Sequence, residues 1–103
     1  MITFSRTYTR PNTDIPFHHE VLDNTSYKSH LVPNYIETGD LISQWKDISD
    51  DVLTMTYNAI WASREAFDRH DNDPVLKDYW DQRDVYCESN NIVLGPQTFG
   101  EIS

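Results

Sequence analysis

Alternating apolar and polar side chains predict a strand at the start of the chain, over Ile2–Thr9. Phe4 and Tyr8 lie on one side of this segment, and four hydroxyl side chains lie on the other. A period of two, rich in threonine and aromatic side chains, is typical of a half-buried strand. The polar segment 11–14, which contains proline and asparagine, ends the strand.

A helical region with a weak middle is predicted next. Asp14 is placed to cap a helix that begins at residues 15–16. The proline at residue 16 is tolerated in the first turn, because the N–H that it lacks would be unpaired there. The polar segment 23–26 is a poor helix interior, so the pattern allows one interrupted helix or two short ones. The helical spacing ends within 33–38, and Gly39 is placed to stop it.

Two strands follow, over Leu41–Ile48 and Val52–Trp61, and their short polar link predicts an antiparallel hairpin. In the second strand, one face carries alternate residues from Leu53 onward, and the other face includes Ile60. Because both faces carry apolar groups, we expect this strand to be central and covered on each side.

Two helices and a last strand complete the pattern. Ser63 is placed to cap a short helix over Arg64–His70, and Asp73-Pro74 opens a second helix that ends at residues 90–91. The segment Ile92–Thr98 reads as a final strand, and the proline within it indicates an edge position or a bulge.

The resulting order is β-α-β-β-α-β, which predicts an α+β, ferredoxin-like single domain over residues 1–103. Such a domain has a four-stranded antiparallel sheet with its helices on one face. The apolar groups on the open face then need a cover, and a second copy of the chain would supply it. We therefore expect a homodimer.

Charge and cysteine content narrow the partners. The chain has 17 acidic and eight basic residues and a formal net charge of -9, which argues against nucleic acid and against an anionic membrane surface. The only cysteine, Cys87, falls on the apolar side of the last helix, and we expect a buried, inert thiol. No secretory signal or transmembrane segment is visible, so the predicted location is cytoplasmic.

The residues at 61–70 read Trp-Ala-Ser-Arg-Glu-Ala-Phe-Asp-Arg-His and are followed by Asp73-Pro74. This segment resembles the third strand and following helix of the dimeric α+β barrel superfamily, in its antibiotic-biosynthesis-monooxygenase-like branch. The resemblance implies that two sheets pack face to face across a dimer axis, and that each subunit has a pocket between its sheet and its helices. Members include cofactor-independent monooxygenases, isomerases, haem-degrading proteins and others, so the fold does not name an activity.

Neither a metal nor a cofactor is expected. Haem-degrading members of the superfamily place an iron-binding histidine on the second helical part, and segment 75–80 has none. His18 and His19 are adjacent, so on a helix they point about 100° apart and chelate a metal poorly; we interpret them as solvated, with one at a pocket rim as the alternative. Segment 70–73 lacks the calcium-loop pattern and reads as a capping turn.

A set of aromatic side chains supports two interpretations: core and dimer interface, or an aromatic-lined pocket for an apolar or aromatic ligand. The aromatic set is Trp45, Tyr57, Trp61, Tyr79 and Trp80. The polar side chains available to orient a ligand are His30, Tyr35, Asn58 and Arg83. His70 joins them through the family resemblance. The ligand-binding residues that we expect are Tyr35, Tyr57, Asn58, Trp61, His70 and Arg83.

The predicted function is binding of a small apolar or aromatic molecule by a dimeric protein, with cofactor-independent monooxygenase or isomerase activity as the catalytic version. In the oxygenase version, the protein positions an electron-rich substrate and stabilises its anion, and the substrate itself reduces dioxygen. The alternative is a non-catalytic ligand-binding or assembly module.

Overall fold

The computed structural model describes residues 1–102 and contains one antiparallel sheet with helices packed on it. The strands are β1 (Ile2–Thr9), β2 (Leu41–Ile48), β3 (Thr54–Trp61), β4 (Val93–Leu94) and β5 (Thr98–Glu101). The helices are α1 (His18–Val21), α2 (Thr25–Leu31), α3 (Arg64–Asp71) and α4 (Pro74–Ser89), and a π-helical turn, Val32–Ile36, continues α2. The predicted α+β, ferredoxin-like fold is confirmed.

The strand order is β2-β3-β1-β4, and β5 also pairs with β1. Strand β3 is therefore central, as predicted, with Ile2 opposite Trp61 and Thr9 opposite Thr54 on β1. It begins at Thr54 and not at Val52, because Val52 has a positive φ of 56° and belongs to the hairpin turn. The antiparallel hairpin itself is confirmed.

The first helical region forms two short helices, which was one of the two predicted alternatives. The prediction that Asp14 caps the first helix is wrong, because α1 begins at His18 and its N-cap is Phe17. The backbone N–H of Phe17 donates to the Glu20 carboxylate at 2.8 Å. The backbone N–H of Asp14 instead donates to the Asn12 side chain at 3.0 Å, within the turn that follows β1.

The last strand was predicted as one segment over 92–98, and this is wrong. Two short strands, β4 and β5, each pair with β1, and residues 95–97 separate them. Pro96 lies in that break, where it has no N–H to donate to the sheet. The carbonyl of Gly95 remains bound to β1, because it accepts from Arg6 Nε at 2.9 Å.

The helices cover the sheet face that carries Phe4, Tyr8, Met55 and Trp61, and buried side chains there form two clusters. The half-buried side chain of Tyr57 packs against both of them. On the opposite face β1 presents three threonines and a serine, as its alternation predicted. The predicted capping residues of the third and fourth helices are confirmed: Ser63 accepts from Ala66 N, and Asp73 accepts from Val75 N.

Candidate functional site

A cavity of about 480 Å³ lies between the helices and the sheet. Side chains from β1, β2 and β3 line it on one side, and side chains from all four helices line it on the other. This volume falls within the range of small-molecule binding sites, about 300–1,000 Å³. The family resemblance implied a pocket in this position.

One part of the lining is a cluster of rings at the junction of β3 with α3. Trp61 ends β3 and is 1% exposed. The Ser63 cap starts α3 two residues later, so Phe67 and His70, three residues apart, share the helix face toward Trp61. The ring centroids of Trp61 and His70 are 4.7 Å apart, and those of His70 and Trp80 are 4.9 Å apart.

Polar atoms in this cluster have no protein partner. Within residues 1–102, Trp61 Nε1 and both ring nitrogens of His70 are buried and form no hydrogen bond. Burial lowers the pKa of His70 to about 4, although the nearby Asp73 opposes the shift. The imidazole is therefore neutral at pH 7, with one donor and one acceptor nitrogen. Buried polar groups without partners are costly, so a polar ligand atom would relieve them.

A second part of the lining surrounds α1. The interpretation of the histidine pair as solvated is wrong, because His18 is buried and both histidines line the cavity. Phe17 belongs to a buried cluster that also contains Tyr8, and the His18 and Tyr8 ring centroids are 4.9 Å apart. Burial, with smaller contributions from Arg83, His19 and Lys46, lowers the pKa of His18 to about 3.

The lining is basic although the chain is acidic. Four of the eight Lys and Arg residues line the cavity, against one of the 17 acidic residues, Asp71. The four basic residues are Arg6, Lys28, Lys46 and Arg83. The Arg83 guanidinium contacts Asp84 at 3.1 Å and the Tyr8 hydroxyl at 3.4 Å. Burial lowers the pKa of each lining histidine, so these side chains are mainly uncharged at neutral pH. The lysines and arginines therefore make the local electrostatic potential positive.

Comparison with solved structures identifies the fold. A candidate antibiotic biosynthesis monooxygenase from Deinococcus radiodurans has a TM-score of 0.60 and 12% identity, over 100% of this chain and 93% of that chain. SnoaB, a cofactor-independent oxygenase from Streptomyces nogalater, has a TM-score of 0.61 and 12% identity, over 99% and 92%. Rv0793 from Mycobacterium tuberculosis has a TM-score of 0.53 and 16% identity, over 100% and 96%.

The chain has the fold of these proteins. The predicted resemblance to antibiotic-biosynthesis-monooxygenase-like proteins is thereby confirmed at the level of the fold. No family model matches the sequence, and no curated protein is significantly similar to it.

Four of the six predicted ligand-binding residues line the cavity: Tyr57, Trp61, His70 and Arg83. The Tyr57 hydroxyl donates to Gln44 Oε1 at 2.8 Å, between two lining side chains. Four members of the predicted aromatic set also line the cavity from the helix side of the sheet: Tyr57, Trp61, Tyr79 and Trp80. Trp45 borders the cavity on the edge strand β2, but it lies opposite Asn58, so its side chain belongs to the other sheet face, where it is 44% exposed.

The other two predicted residues, Asn58 and Tyr35, are placed elsewhere. Asn58 follows Tyr57 in β3 and so points to the opposite sheet face, where its Nδ2 donates to Asp47 at 2.9 Å. The Tyr35 hydroxyl donates to Asp73 at 2.6 Å, and His30 lies 2.8 Å from the same carboxylate oxygen. Burial raises the pKa of Asp73, but the hydrogen bonds from Tyr35, His30 and the backbone N–H of Val75, together with the charge of His30, outweigh it and lower the pKa to about 2.

Sequence reasoning missed the histidine pair and most of the basic lining. The structure places Lys46 on the cavity face, because the register of the hairpin sets it directly opposite Tyr57. Lys28 belongs to α2, which is far from β2 along the chain. No local pattern indicates that the two lysines line one cavity.

The remaining predictions concern cysteine, metals and membranes. Cys87 is buried as predicted, and burial raises the pKa of its thiol. Within the described part of the chain, no group of three or more His, Cys, Asp or Glu side chains could hold a metal ion. None of the helices described is long and apolar enough to cross a membrane. The cytoplasmic location stays a prediction.

Proposed function

We propose that the chain binds a polycyclic aromatic molecule in the cavity and oxygenates it with dioxygen, without a cofactor. The observation that carries this proposal is the Trp61–His70 pair, whose polar ring atoms are buried without partners in an aromatic-lined cavity. The fold supports it, because SnoaB, which has the same fold, is a cofactor-independent oxygenase.

The chemistry needs a substrate that can itself reduce dioxygen. An electron-rich ring system with an acidic CH₂ group loses a proton to become a carbanion, which transfers electrons to dioxygen. One oxygen atom replaces the two hydrogens as a carbonyl, and the other oxygen leaves as water, so CH₂ and O₂ become C=O and H₂O. The CH₂ carbon is oxidised by four electrons, and the dioxygen accepts them.

The lining residues then have distinct tasks in this proposal. Trp61 Nε1–H donates a hydrogen bond to a substrate oxygen, and neutral His70 holds the same oxygen or its neighbour. A histidine whose pKa is about 4 is a weak base, so His70 positions the substrate and does not remove its proton. Tyr57 packs between the two core clusters and supports the ring system from the sheet side.

Non-catalytic binding is the second candidate. It is favoured by one observation, namely that burial lowers the pKa of every histidine in the lining. The cavity then offers no strong base, and a carbanion has to form by ionisation of the substrate itself, helped by the positive lining. A substrate that ionises poorly would be bound and released unchanged.

Oxygen consumption separates the two candidates. With 1,8-dihydroxy-9-anthrone as the probe and a chelator present, we expect the protein to raise the rate of oxygen uptake and of quinone formation above the spontaneous rate. Trp61→Phe and His70→Gln should lower this rate, whereas Tyr86→Phe, which removes a hydroxyl outside the cavity, should not. Binding of the anthrone without faster oxygen uptake would support the non-catalytic candidate.

We also propose that two copies associate through the sheet face opposite the helices. The half-buried Ile60 lies on that face, and its neighbours there are mainly threonines. Trp45 pairs with Asn58 across β2 and β3, so it belongs to the same face, and it is 44% exposed. A second copy would cover these groups and leave the cavities on the outer sides of the pair.

A further inference from the structure

Two lysines line the same cavity, and within the described residues neither forms an ion pair. Lys46 comes from β2 and Lys28 from α2, and both line the cavity. Burial lowers the pKa of Lys46, and the charge of Lys28 lowers it further. Glu20 opposes this shift, but within residues 1–102 neither lysine forms an ion pair.

This arrangement differs from that of most basic residues elsewhere in the chain. Arg64, Arg69 and Lys77, which lie outside the cavity, each form an ion pair with an aspartate. The chain has about twice as many acidic as basic residues, so a carboxylate partner is readily available on the surface. Two unpaired like charges in one cavity repel each other and cost free energy, which a bound anion would recover.

The lysines belong to a different part of the lining from the Trp61–His70 pair. Lys46 lies opposite Tyr57 in the hairpin, four residues along β3 from Trp61, or about 13 Å at the rise of a strand. Lys28 lies in α2, the helix that follows α1. His18 packs against Tyr8, in the second core cluster, whereas Trp61 and Phe67 belong to the first. A ligand in contact with both parts therefore has an aromatic portion at Trp61 and a separate group at the lysines.

We propose that the ligand is an aromatic acid, and that Lys28 and Lys46 bind its carboxylate while its rings lie against Trp61. This inference rests on the proposed function only in taking the cavity as the ligand site, and it defines the substrate class of that site. Arg83, already engaged by Asp84 and Tyr8, contributes long-range attraction from α4. The acid group fixes the orientation of the rings and is not the reacting group.

Calorimetric titration with two isosteric probes tests this proposal: anthracene-2-carboxylate and the neutral anthracene-2-carboxamide. We expect the carboxylate to bind about tenfold more tightly than the amide at low salt. Lys46→Met should remove most of this preference without changing the affinity for the amide. Lys28→Met should also reduce the preference, because both lysines are exposed at the cavity and, among the described residues, neither is paired. Added salt should narrow the difference between the probes.

Lys77→Met is the matched control. It changes the net charge by the same amount, but Lys77 lies on α4 outside the cavity and pairs with Asp81 at 3.0 Å. Equal affinities of the two probes in the wild-type protein would overturn the aromatic-acid proposal while leaving the aromatic site intact. Equal losses in Lys77→Met and Lys46→Met would also overturn it, since net charge would then explain the preference. Failure of both probes to bind would contradict the proposed ligand site itself.

Discussion

The ring centroids of Trp61 and His70 lie 4.7 Å apart, with the ring planes inclined at 51°. Trp61 ends a central strand, and His70 lies in the last turn of the helix that follows it. The three polar nitrogens of the pair are buried and unpaired within the described residues. In a wholly structural pair we would expect at least one of these atoms to have a protein partner, so the pair is the natural place to test ligand binding.

Trp61→Phe should weaken ligand binding more than it destabilises the fold. It retains an aromatic ring but removes the Nε1–H and part of the contact area, so we expect a loss of about 0.5–1.5 kcal/mol in binding, or roughly two- to twelvefold in Kd. Titration with anthracene-2-carboxamide gives the affinity, and calorimetric melting gives the stability.

Tyr86→Phe is the control for that substitution. It also removes a donor from an aromatic side chain, but the Tyr86 hydroxyl donates to the Pro16 carbonyl and lies outside the cavity. It should lower Tm without changing Kd. If Trp61→Phe behaves in the same way, Trp61 is only a core residue and the ligand lies elsewhere.

Stability should fall as the pH falls from 6.5 toward 4. Burial lowers the pKa of His70 to about 4 and that of His18 to about 3, from an ordinary value of 6.5. In this pH range the unfolded chain binds protons that the folded chain does not, so acid favours unfolding by about 1.4 kcal/mol per pH unit for each histidine. Urea unfolding at several pH values measures this slope, and His70→Gln should reduce it. An unchanged slope in the variant would show that His70 titrates normally in the folded protein.

Asp73→Ala should be more destabilising than the loss of an ordinary helix cap. One carboxylate oxygen accepts from Val75 N at 2.9 Å, and the other accepts from the Tyr35 hydroxyl and binds His30. Loss of the cap and of a partner for the buried tyrosine should together cost about 2–4 kcal/mol in the free energy of unfolding.

Ser63→Ala removes the cap of α3 alone and should cost about 1 kcal/mol. Denaturant unfolding of the two variants under the same conditions gives the comparison. Equal losses would mean that the contacts of Asp73 with Tyr35 and His30 contribute nothing to stability.

Val52→Asn should stabilise the protein. Val52 has a φ of 56° in the hairpin turn, a conformation that β-branched residues adopt at a cost of about 1–2 kcal/mol and that asparagine tolerates better. The chain already has Asn91 at a φ of 57°. A rise in Tm is the expected result, and a fall would show that the valine side chain makes contacts worth more than the backbone strain.

Gly39→Ala tests the same physics in the opposite direction. Gly39 has a φ of 83°, and an added Cβ would have no atom within 4 Å, so only the backbone conformation opposes the substitution. We expect a loss of about 1 kcal/mol in the free energy of unfolding. An alanine variant as stable as the wild type would show that the turn adjusts freely.

Ile60→Lys should shift the protein from dimer toward monomer if the proposed interface is correct. A lysine at the centre of a buried face would be desolvated without a partner. Sedimentation equilibrium should give twice 12.1 kDa for the wild type and a value near 12.1 kDa for the variant. Ile48→Lys, on the edge strand and 50% exposed, should remain dimeric. A wild-type monomer at micromolar concentration would refute the proposed interface, since a stable dimer should bury more than about 1,000 Å².

Part of the site could be predicted because it depends on neighbours in the chain. Ser63 caps α3, and the helical period then brings Phe67 and His70 to the face that Trp61 meets. The same local logic should have excluded Asn58, because alternate residues of a strand point to opposite sides and its neighbour Tyr57 faces the cavity.

The sequence alone determined the element order, the central position of β3, and the caps at Ser63 and Asp73. These features follow from side-chain periods and hydrogen bonds that extend over only a few residues. The tertiary structure decided the burial of His18 and the meeting of Lys28 with Lys46 at one cavity. Each of these features depends on packing between segments that are far apart in the chain. The neighbours that bury a side chain or leave its charge unpaired at such a contact are not specified by any local sequence pattern.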